Sequence, residues 1–245
     1  EAKTFAQKLK ACTKLPLRNI KPIIPNVNEP RTHLSMGQHC ELMVKEWGIT
    51  RQEQDHFALT SHINGCKAYD SEFYMDLVIP FSGLVRDGIL RSDASIEKLA
   101  KLKPAFDRVA GTLTAGNSSP LTDGAACVLI GNQTGADKIG AKPLARIVDV
   151  QAAAVDFVRG AGLLMAPTKA IAQLLSRNQL SVADFDYFEI HEAFAGQVLC
   201  TLKALESEKY CKEVLGLTTA IGALDRKKIN VVGSSIALGH PFAAT

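Results

Sequence analysis

Apolar side chains recur every three to four residues along residues 35–81, which is the spacing of one face of an α-helix. The first positions with this spacing are Met36, Leu42, Met43 and Trp47. They predict a helix that ends at Gly48, a residue favoured just beyond a helix terminus. The next segment, Thr50-Arg-Gln-Glu53, has the capping-box pattern, in which the first and fourth residues bond each other's backbone. It predicts a second helix that continues to about Tyr69.

The last hundred residues alternate between apolar runs and helical patterns. The apolar runs predict strands at 144–155, 185–190 and 229–232, after an earlier one at 125–131. The helical patterns lie at 168–177 and 193–205. Alternation of this kind is typical of α/β folds, in which helices cover a sheet. In such folds, side chains at the carboxyl ends of the strands line the ligand crevice.

Two histidines follow predicted strands at equivalent places. His191 comes directly after 185–190, and His240 lies beyond 229–232, immediately before Pro241. Proline favours the first position of a helix, so we expect His240 at a helix start, where the helix dipole keeps the imidazole neutral and able to accept a proton. A lone histidine there is most simply structural, but two at matching strand ends favour a functional pair. We expect Glu192 to be a structural hydrogen-bond acceptor and not a general base.

A loop of small and hydroxyl residues occupies 112–126. Its backbone could approach a ligand closely, although such loops more often only turn the chain. The sequence contains neither a Gly-x-Gly-x-x-Gly motif nor a P-loop, so nucleotide-phosphate cradles of those two types are not indicated.

Composition excludes several classes of protein. A hydrophobic content of 47% in 245 residues suffices for one large or two ordinary domains, and a net charge of +3 is too small to indicate nucleic-acid binding. No apolar run approaches the ~20 residues that span a bilayer. The six cysteines are scattered without a Cys-x-x-Cys pair, which predicts no zinc site and a reducing compartment. Because the chain opens on Glu1 without a methionine, we expect a fragment or a processed form.

Residues 1–24 carry six basic residues and one acidic residue. Apolar positions with helical spacing predict a short basic amphipathic helix over 2–14. This helix could lie on its own domain, or it could contact anionic lipid or a partner subunit.

Several motifs, in one order along nearly the whole chain, together resemble the thiolase family. They are Met36-Gly, Ile49-Thr-Arg-Gln-Glu-Gln-Asp55, Lys103-Pro-Ala-Phe106, Thr114-Ala-Gly-Asn-Ser-Ser119, Asp123-Gly-Ala-Ala, His191-Glu-Ala-Phe and Gly239-His-Pro241. Many thiolases have Asn where His191 stands. The histidine form is similar to the β-oxidation branch that pairs with a hydratase/dehydrogenase subunit, including the trifunctional-protein β subunit.

The resemblance implies a layered α-β-α-β-α fold, incomplete here, with an α-rich loop domain. Residues 1–119 would form the loop domain, with the basic amphipathic insertion at 1–25. Residues 120–142 would close the amino-terminal half, and residues 143–245 would be a truncated carboxy-terminal half.

The implied activity is that of an acetyl-CoA C-acyltransferase, or 3-ketoacyl-CoA thiolase, of fatty-acid β-oxidation. It cleaves a 3-ketoacyl-CoA with CoA as the second substrate and needs neither a metal nor another cofactor. By this likeness His240 would be the base that activates a nucleophilic cysteine, and His191 would support the oxyanion of the departing thioester enolate. Residues that would contact substrate or CoA are Ser119, Arg91, Met36 and Ala115.

The family's two catalytic cysteines would lie outside residues 1–245, so we expect this chain alone to be inactive. Two alternatives remain at this stage: a non-catalytic thiolase-like subunit that binds CoA or acts as a scaffold, and a biosynthetic condensing enzyme. The likeness further implies a homodimer or homotetramer, a hydratase/dehydrogenase α subunit as partner, and peripheral membrane contact through residues 1–25, with no nucleic acid. The expected compartment is the mitochondrial matrix or inner membrane in a eukaryote and the cytoplasm in a bacterium.

Overall fold

The computed structural model describes residues 4–7 and 26–241. The chain divides into two compact units, Glu1–Ser35 and Met36–Thr245. In the described part of the first unit, Asn28 and Ser35 form an antiparallel bridge. The predicted basic helix at 2–14 lies, apart from residues 4–7, outside the described residues.

Two helices open the second unit, α1 (Met36–Glu46) and α2 (Arg51–Asp70). Gly48, in the link between them, has a φ of +60°, a conformation that suits glycine. The Thr50 side chain accepts a hydrogen bond from the Glu53 backbone, and the Glu53 carboxylate accepts one from the Thr50 backbone. The predicted capping box and both predicted helices are therefore confirmed.

Six further α-helices follow between residues 71 and 241. They are α3 (Ile96–Ala100), α4 (Gln133–Ile139), α5 (Ala166–Asn178), α6 (Ala195–Glu206), α7 (Glu208–Glu213) and α8 (Ser235–Leu238). Helices α5 and α6 confirm the predictions at 168–177 and 193–205. The other four have four to seven residues each, too short to show a helical period in the sequence. Within 4–7 and 26–241, no helix is both long and apolar enough to cross a membrane.

Helix α6 is the centre of the core. One face carries Cys200 against Met43 of α1, and another carries Leu202 against Ile229. Cys200, Met43 and Leu202 are almost fully removed from solvent. Because apolar burial is the largest favourable contribution to folding, α6 fixes the positions of the segments packed around it.

The predicted strands do not form as ladders. In the part of the chain that the structure describes, strand pairing is limited to isolated bridges, among them a parallel one between Phe188 and Ile229. Residues 125–131 and 144–155 have no regular secondary structure, and most of their apolar side chains are exposed, as at Val128 (80%) and Val150 (75%). An apolar run favours burial against a sheet, but a strand also needs a hydrogen-bonded neighbour. The described residues supply none to these two segments, so these strand predictions are wrong for this structure.

Candidate active site

His191 and His240 face each other across a short gap. Their ring centroids are 4.6 Å apart, and the ring planes are inclined by 67°. The parallel bridge of Phe188 with Ile229 brings the segments before the two histidines side by side. The side chain of Asn230 extends this pairing, because it accepts from the Ile190 N–H at 2.7 Å and donates to the Ile190 carbonyl at 2.8 Å.

The turn before α8 approaches α2 closely at Gly233. A Cβ on Gly233, which has a φ of +84°, would lie 2.7 Å from the Cα of Gly65 on α2. This contact is possible only without a side chain at position 233. It places α8 against α2 and so fixes where the segment carrying His240 leaves the core.

The small-residue loop at 112–126 is bound to the start of α6. The backbone N–H of Ser119 donates to the carbonyl of Ala193, and the N–H of Ala195 donates to the carbonyl of Asn117, both at 2.9 Å. These two bonds place Ser119 beside the histidine pair. The Nδ1 atom of His240 lies 2.6 Å from Ser119 Oγ.

The hydrogen bonds of Ser119 favour one tautomer of His240. Ser119 Oγ donates its single proton to the backbone carbonyl of Ser235 at 2.7 Å, an oxygen that also accepts the N–H of Gly239. Donation to this carbonyl leaves the hydroxyl as an acceptor towards His240, which assigns the proton of the neutral imidazole to Nδ1. The lone pair is then on Nε2, which is the form that a general base requires.

Glu192 lies buried behind the pair. Its carboxylate accepts from Ser61 Oγ at 2.7 Å, Asn230 Nδ2 at 2.6 Å and the Ile236 N–H at 3.2 Å. Burial raises the pKa of Glu192, and these three hydrogen bonds lower it by a smaller amount. As expected from the sequence, Glu192 is a structural acceptor, and it links α2, the turn at Asn230 and α8.

A helix that was not predicted from the sequence starts at the site: α8 begins at Ser235 and ends at Leu238, before His240. The helix expected to begin at Pro241 would continue into residues outside the described ranges, so it stays a prediction. Burial lowers the pKa of His191, and the neighbouring His240 lowers it further, which favours a neutral ring at pH 7.

A cavity of about 430 Å³ adjoins the loop that carries Ser119. Arg91 and Ala115, two of the predicted CoA contacts, line it together with Lys98. Lys98 is ion-paired with Asp93, which also lines the cavity, so the net positive charge of the lining comes from Arg91. An arginine beside an apolar wall suits a ligand with phosphate at one end and a narrow chain at the other. Met36, a third predicted contact, does not line this cavity; it begins α1, and 48% of it is exposed.

His62 lines the same cavity and was not predicted. Its Nδ1 accepts a hydrogen bond from the backbone N–H of Arg91 at 3.3 Å, which places its proton on Nε2. Burial lowers the pKa of His62, and the Arg91 charge lowers it further.

We expect the free energy of unfolding to decrease as the pH falls below about 6.5, the ordinary histidine pKa. His62 binds its proton more readily in the unfolded chain, so acid favours unfolding. The His62→Gln variant keeps an acceptor for Arg91 without a titrating ring, and its stability should fall less between pH 7 and pH 5 in urea titrations. The matched variant His56→Gln, on the exposed side of α2, should follow the unaltered protein. If all three proteins lose the same amount of stability between pH 7 and pH 5, the lowered pKa of His62 is not the cause of the loss.

Family models for the two halves of thiolases match almost the entire chain. The thiolase N-terminal domain matches residues 10–134, and the thiolase C-terminal domain matches residues 141–245. The chain belongs to the thiolase family. It is 41% identical to proteins named 3-ketoacyl-CoA thiolase from Yersinia enterocolitica and Photobacterium profundum, and each match covers all of this chain and 57% of the relative.

Solved thiolase structures have the same fold. An acetyl-CoA acetyltransferase from Bacillus anthracis superposes with a TM-score of 0.73 at 36% identity, over 89% of this chain and 52% of its own. Human mitochondrial 3-ketoacyl-CoA thiolase in complex with CoA superposes with a TM-score of 0.71 at 31% identity, over 88% of this chain and 50% of its own. The architecture is thus the layered α/β thiolase fold, of which this chain spans about half.

The roles assigned to individual residues stay predictions, as do the internal boundaries at 119 and 142. The structure brings five of the six predicted site residues into two adjoining groups. His191 and His240, with Ser119 beside them, form the first group, and Arg91 and Ala115 form the second, at the cavity next to Ser119. Met36 belongs to neither group.

Proposed function

We propose that the complete gene product is a 3-ketoacyl-CoA thiolase of degradative fatty-acid metabolism, an acetyl-CoA C-acyltransferase. The observation that carries the proposal is the facing pair of His191 and His240, with a base-competent Nε2 on His240, next to a cavity with a cationic end. Relatives named 3-ketoacyl-CoA thiolase support it.

The proposed reaction needs a thiolate, a base and an oxyanion site. A cysteine thiolate adds to the 3-keto carbon, the bond between carbons 2 and 3 breaks, and the acetyl-CoA enolate leaves. His240 removes the thiol proton through Nε2, and His191 stabilises the negative oxygen of the thioester enolate. A second CoA then takes the acyl group from the enzyme thioester.

The nucleophile in this proposal is not one of the buried cysteines of the chain. Burial raises the pKa of Cys200 to about 12 and that of Cys40 well above its usual range, so both thiols stay protonated at neutral pH. No cysteine within residues 1–245 lies in a thiolase nucleophile motif. We therefore expect the 245-residue chain, purified alone, to show no thiolysis.

CoA is proposed to enter through the cavity at Arg91. Its phosphates would lie towards Arg91 and Lys98, and its pantetheine chain would follow the loop past Ala115 to Ser119. Met36 does not line this cavity, and its predicted contact with CoA stays a prediction.

The deciding experiment is a thiolysis assay on the complete gene product. Acetoacetyl-CoA and a long-chain 3-ketoacyl-CoA are each supplied with CoA, and acetyl-CoA formation is followed by chromatography. We expect CoA-dependent cleavage of at least one substrate. Binding of CoA without cleavage would support the scaffold alternative, and condensation of acyl-CoA without measurable thiolysis would support a biosynthetic enzyme.

The remaining proposals rest on the resemblance and on the basic composition of residues 1–24. They are a homodimer or homotetramer, a hydratase/dehydrogenase α subunit, membrane contact through residues 1–25, and a mitochondrial or bacterial cytoplasmic location.

A further inference from the structure

A second serine–histidine contact lies opposite that of Ser119 with His240. The Nδ1 atom of His191 lies 2.7 Å from the Oγ atom of Ser235, the first residue of α8. Ser235 is 3% exposed, so its hydroxyl is withdrawn from bulk solvent. The direction of this hydrogen bond decides which nitrogen of His191 carries the proton.

The hydroxyl of Ser235 has one acceptor within reach. Among residues 4–7 and 26–241, the hydrogen-bond partner of Ser235 Oγ is His191 Nδ1 alone. If Nδ1 were protonated, it would donate to Oγ, and the buried hydroxyl proton would have no acceptor in this part of the chain. Leaving a buried donor unsatisfied costs about 1–3 kcal/mol. Donation from Ser235 to His191 avoids that cost and places the imidazole proton on Nε2.

His191 and His240 are then opposite tautomers. Ser119 has already committed its proton to the Ser235 carbonyl, so it accepts from Nδ1 of His240. Ser235 thereby influences both rings. Its hydroxyl bonds His191 directly, and its carbonyl acts on His240 through Ser119.

We propose that Ser235 is a positioning residue that holds His191 in the Nε2–H tautomer, so that the pair presents one hydrogen-bond donor and one acceptor. The chemical meaning of this arrangement rests on the proposed function, although the arrangement itself does not. The thiol proton passes to Nε2 of His240, and the Nε2–H of His191 donates to the developing enolate oxygen. Two rings of the same tautomer would offer two donors or two acceptors, and one of the two steps would lack its partner.

The tautomers can be measured directly. In the protein labelled with 15N at histidine, long-range 1H–15N correlation spectra separate protonated from unprotonated ring nitrogens, and His191→Gln and His240→Gln variants assign the signals. At neutral pH we expect Nε2–H on His191 and Nδ1–H on His240. A proton on Nδ1 of His191 in the unaltered protein overturns the proposal, whether or not the protein catalyses thiolysis.

Removal of the hydroxyl tests the cause. In Ser235→Ala, the preference of His191 for Nε2–H should fall roughly five- to tenfold, as expected for loss of one hydrogen bond. The pKa of His191 should rise, because a donor to Nδ1 stabilises only the neutral ring. A fall in that pKa would mean that Ser235 accepts, and would overturn the proposal. The titratable groups around His191, namely His240, Glu189 and Glu192, are unchanged in this variant.

Two further variants test whether the effect of Ser235→Ala comes from loss of the hydroxyl or from a general disturbance of the site. Ser235→Thr keeps the hydroxyl and should restore both the tautomer and the pKa of His191. Ser234→Ala is the matched control, because the hydrogen bond of the Ser234 hydroxyl goes to the Ile190 carbonyl, at 3.5 Å, and not to a histidine ring. If Ser234→Ala shifts His191 as much as Ser235→Ala, the effect is not specific to Ser235. If the thiolysis assay shows no activity but the spectra show the expected tautomers, the proposed function is wrong and the role assigned to Ser235 stands.

Discussion

Replacing His240 with alanine in the complete gene product should lower kcat/KM for thiolysis roughly 100- to 10,000-fold, the usual contribution of a positioned general base. The lone pair on His240 Nε2 is lost, and the thiol must ionise without a neighbouring acceptor. Thiolysis should therefore recover partly as the pH approaches the ordinary thiol pKa of about 8.5. Alkylation of the nucleophilic cysteine by iodoacetamide at pH 7 should slow in parallel.

The matched control is His56→Ala. His56 is exposed on α2, and its Nδ1 bonds the Gln52 carbonyl one turn earlier, so activity should stay within about twofold of the unaltered enzyme. If His240→Ala changes neither the alkylation of the cysteine nor the rate of thiolysis, His240 takes no part in the reaction.

Replacing Glu192 with alanine should lower the free energy of unfolding by about 3 kcal/mol, measured by urea titration at pH 7. The substitution leaves Ser61 Oγ, Asn230 Nδ2 and the Ile236 N–H without their shared acceptor in a buried position. Because the three donors belong to different segments, the loss should loosen the contact of α2 with α8.

Two variants calibrate that result. Glu192→Gln keeps one acceptor oxygen and should cost less than Glu192→Ala. Glu189→Ala removes a nearby carboxyl without removing this hydrogen-bond network. Equal stability of Glu192→Ala and Glu189→Ala would show that the network contributes little to the fold.

The four longer helices could be predicted because their signals are local. The capping box of α2 involves residues three apart, and the periods of α1, α5 and α6 span single segments. The strands could not be predicted in the same way, because a ladder depends on a neighbour that the local sequence does not specify. At 125–131 and 144–155 the apolar pattern is present, but in the described structure most of the apolar side chains are exposed.

The same difference between local and distant signals decides which residues of the candidate site could be predicted. His191 and His240 were predicted from motifs, and the structure places the two rings in contact. Ser235 and His62 were not predicted, because their contacts arise only where α8 and the cavity wall meet distant segments. The predicted contact of Met36 with CoA came from loose alignment, and Met36 is not among the residues that line the cavity.

The bonds of Ser119 restrict what a ligand can offer to this residue. Its only proton is held by the Ser235 carbonyl, and one of its two lone pairs is taken by His240. A molecule that contacts the hydroxyl must therefore present a donor, such as the N–H of a pantetheine amide. An incoming carbonyl oxygen would find no proton available, so Ser119 would select the orientation of a bound amide and not merely its presence.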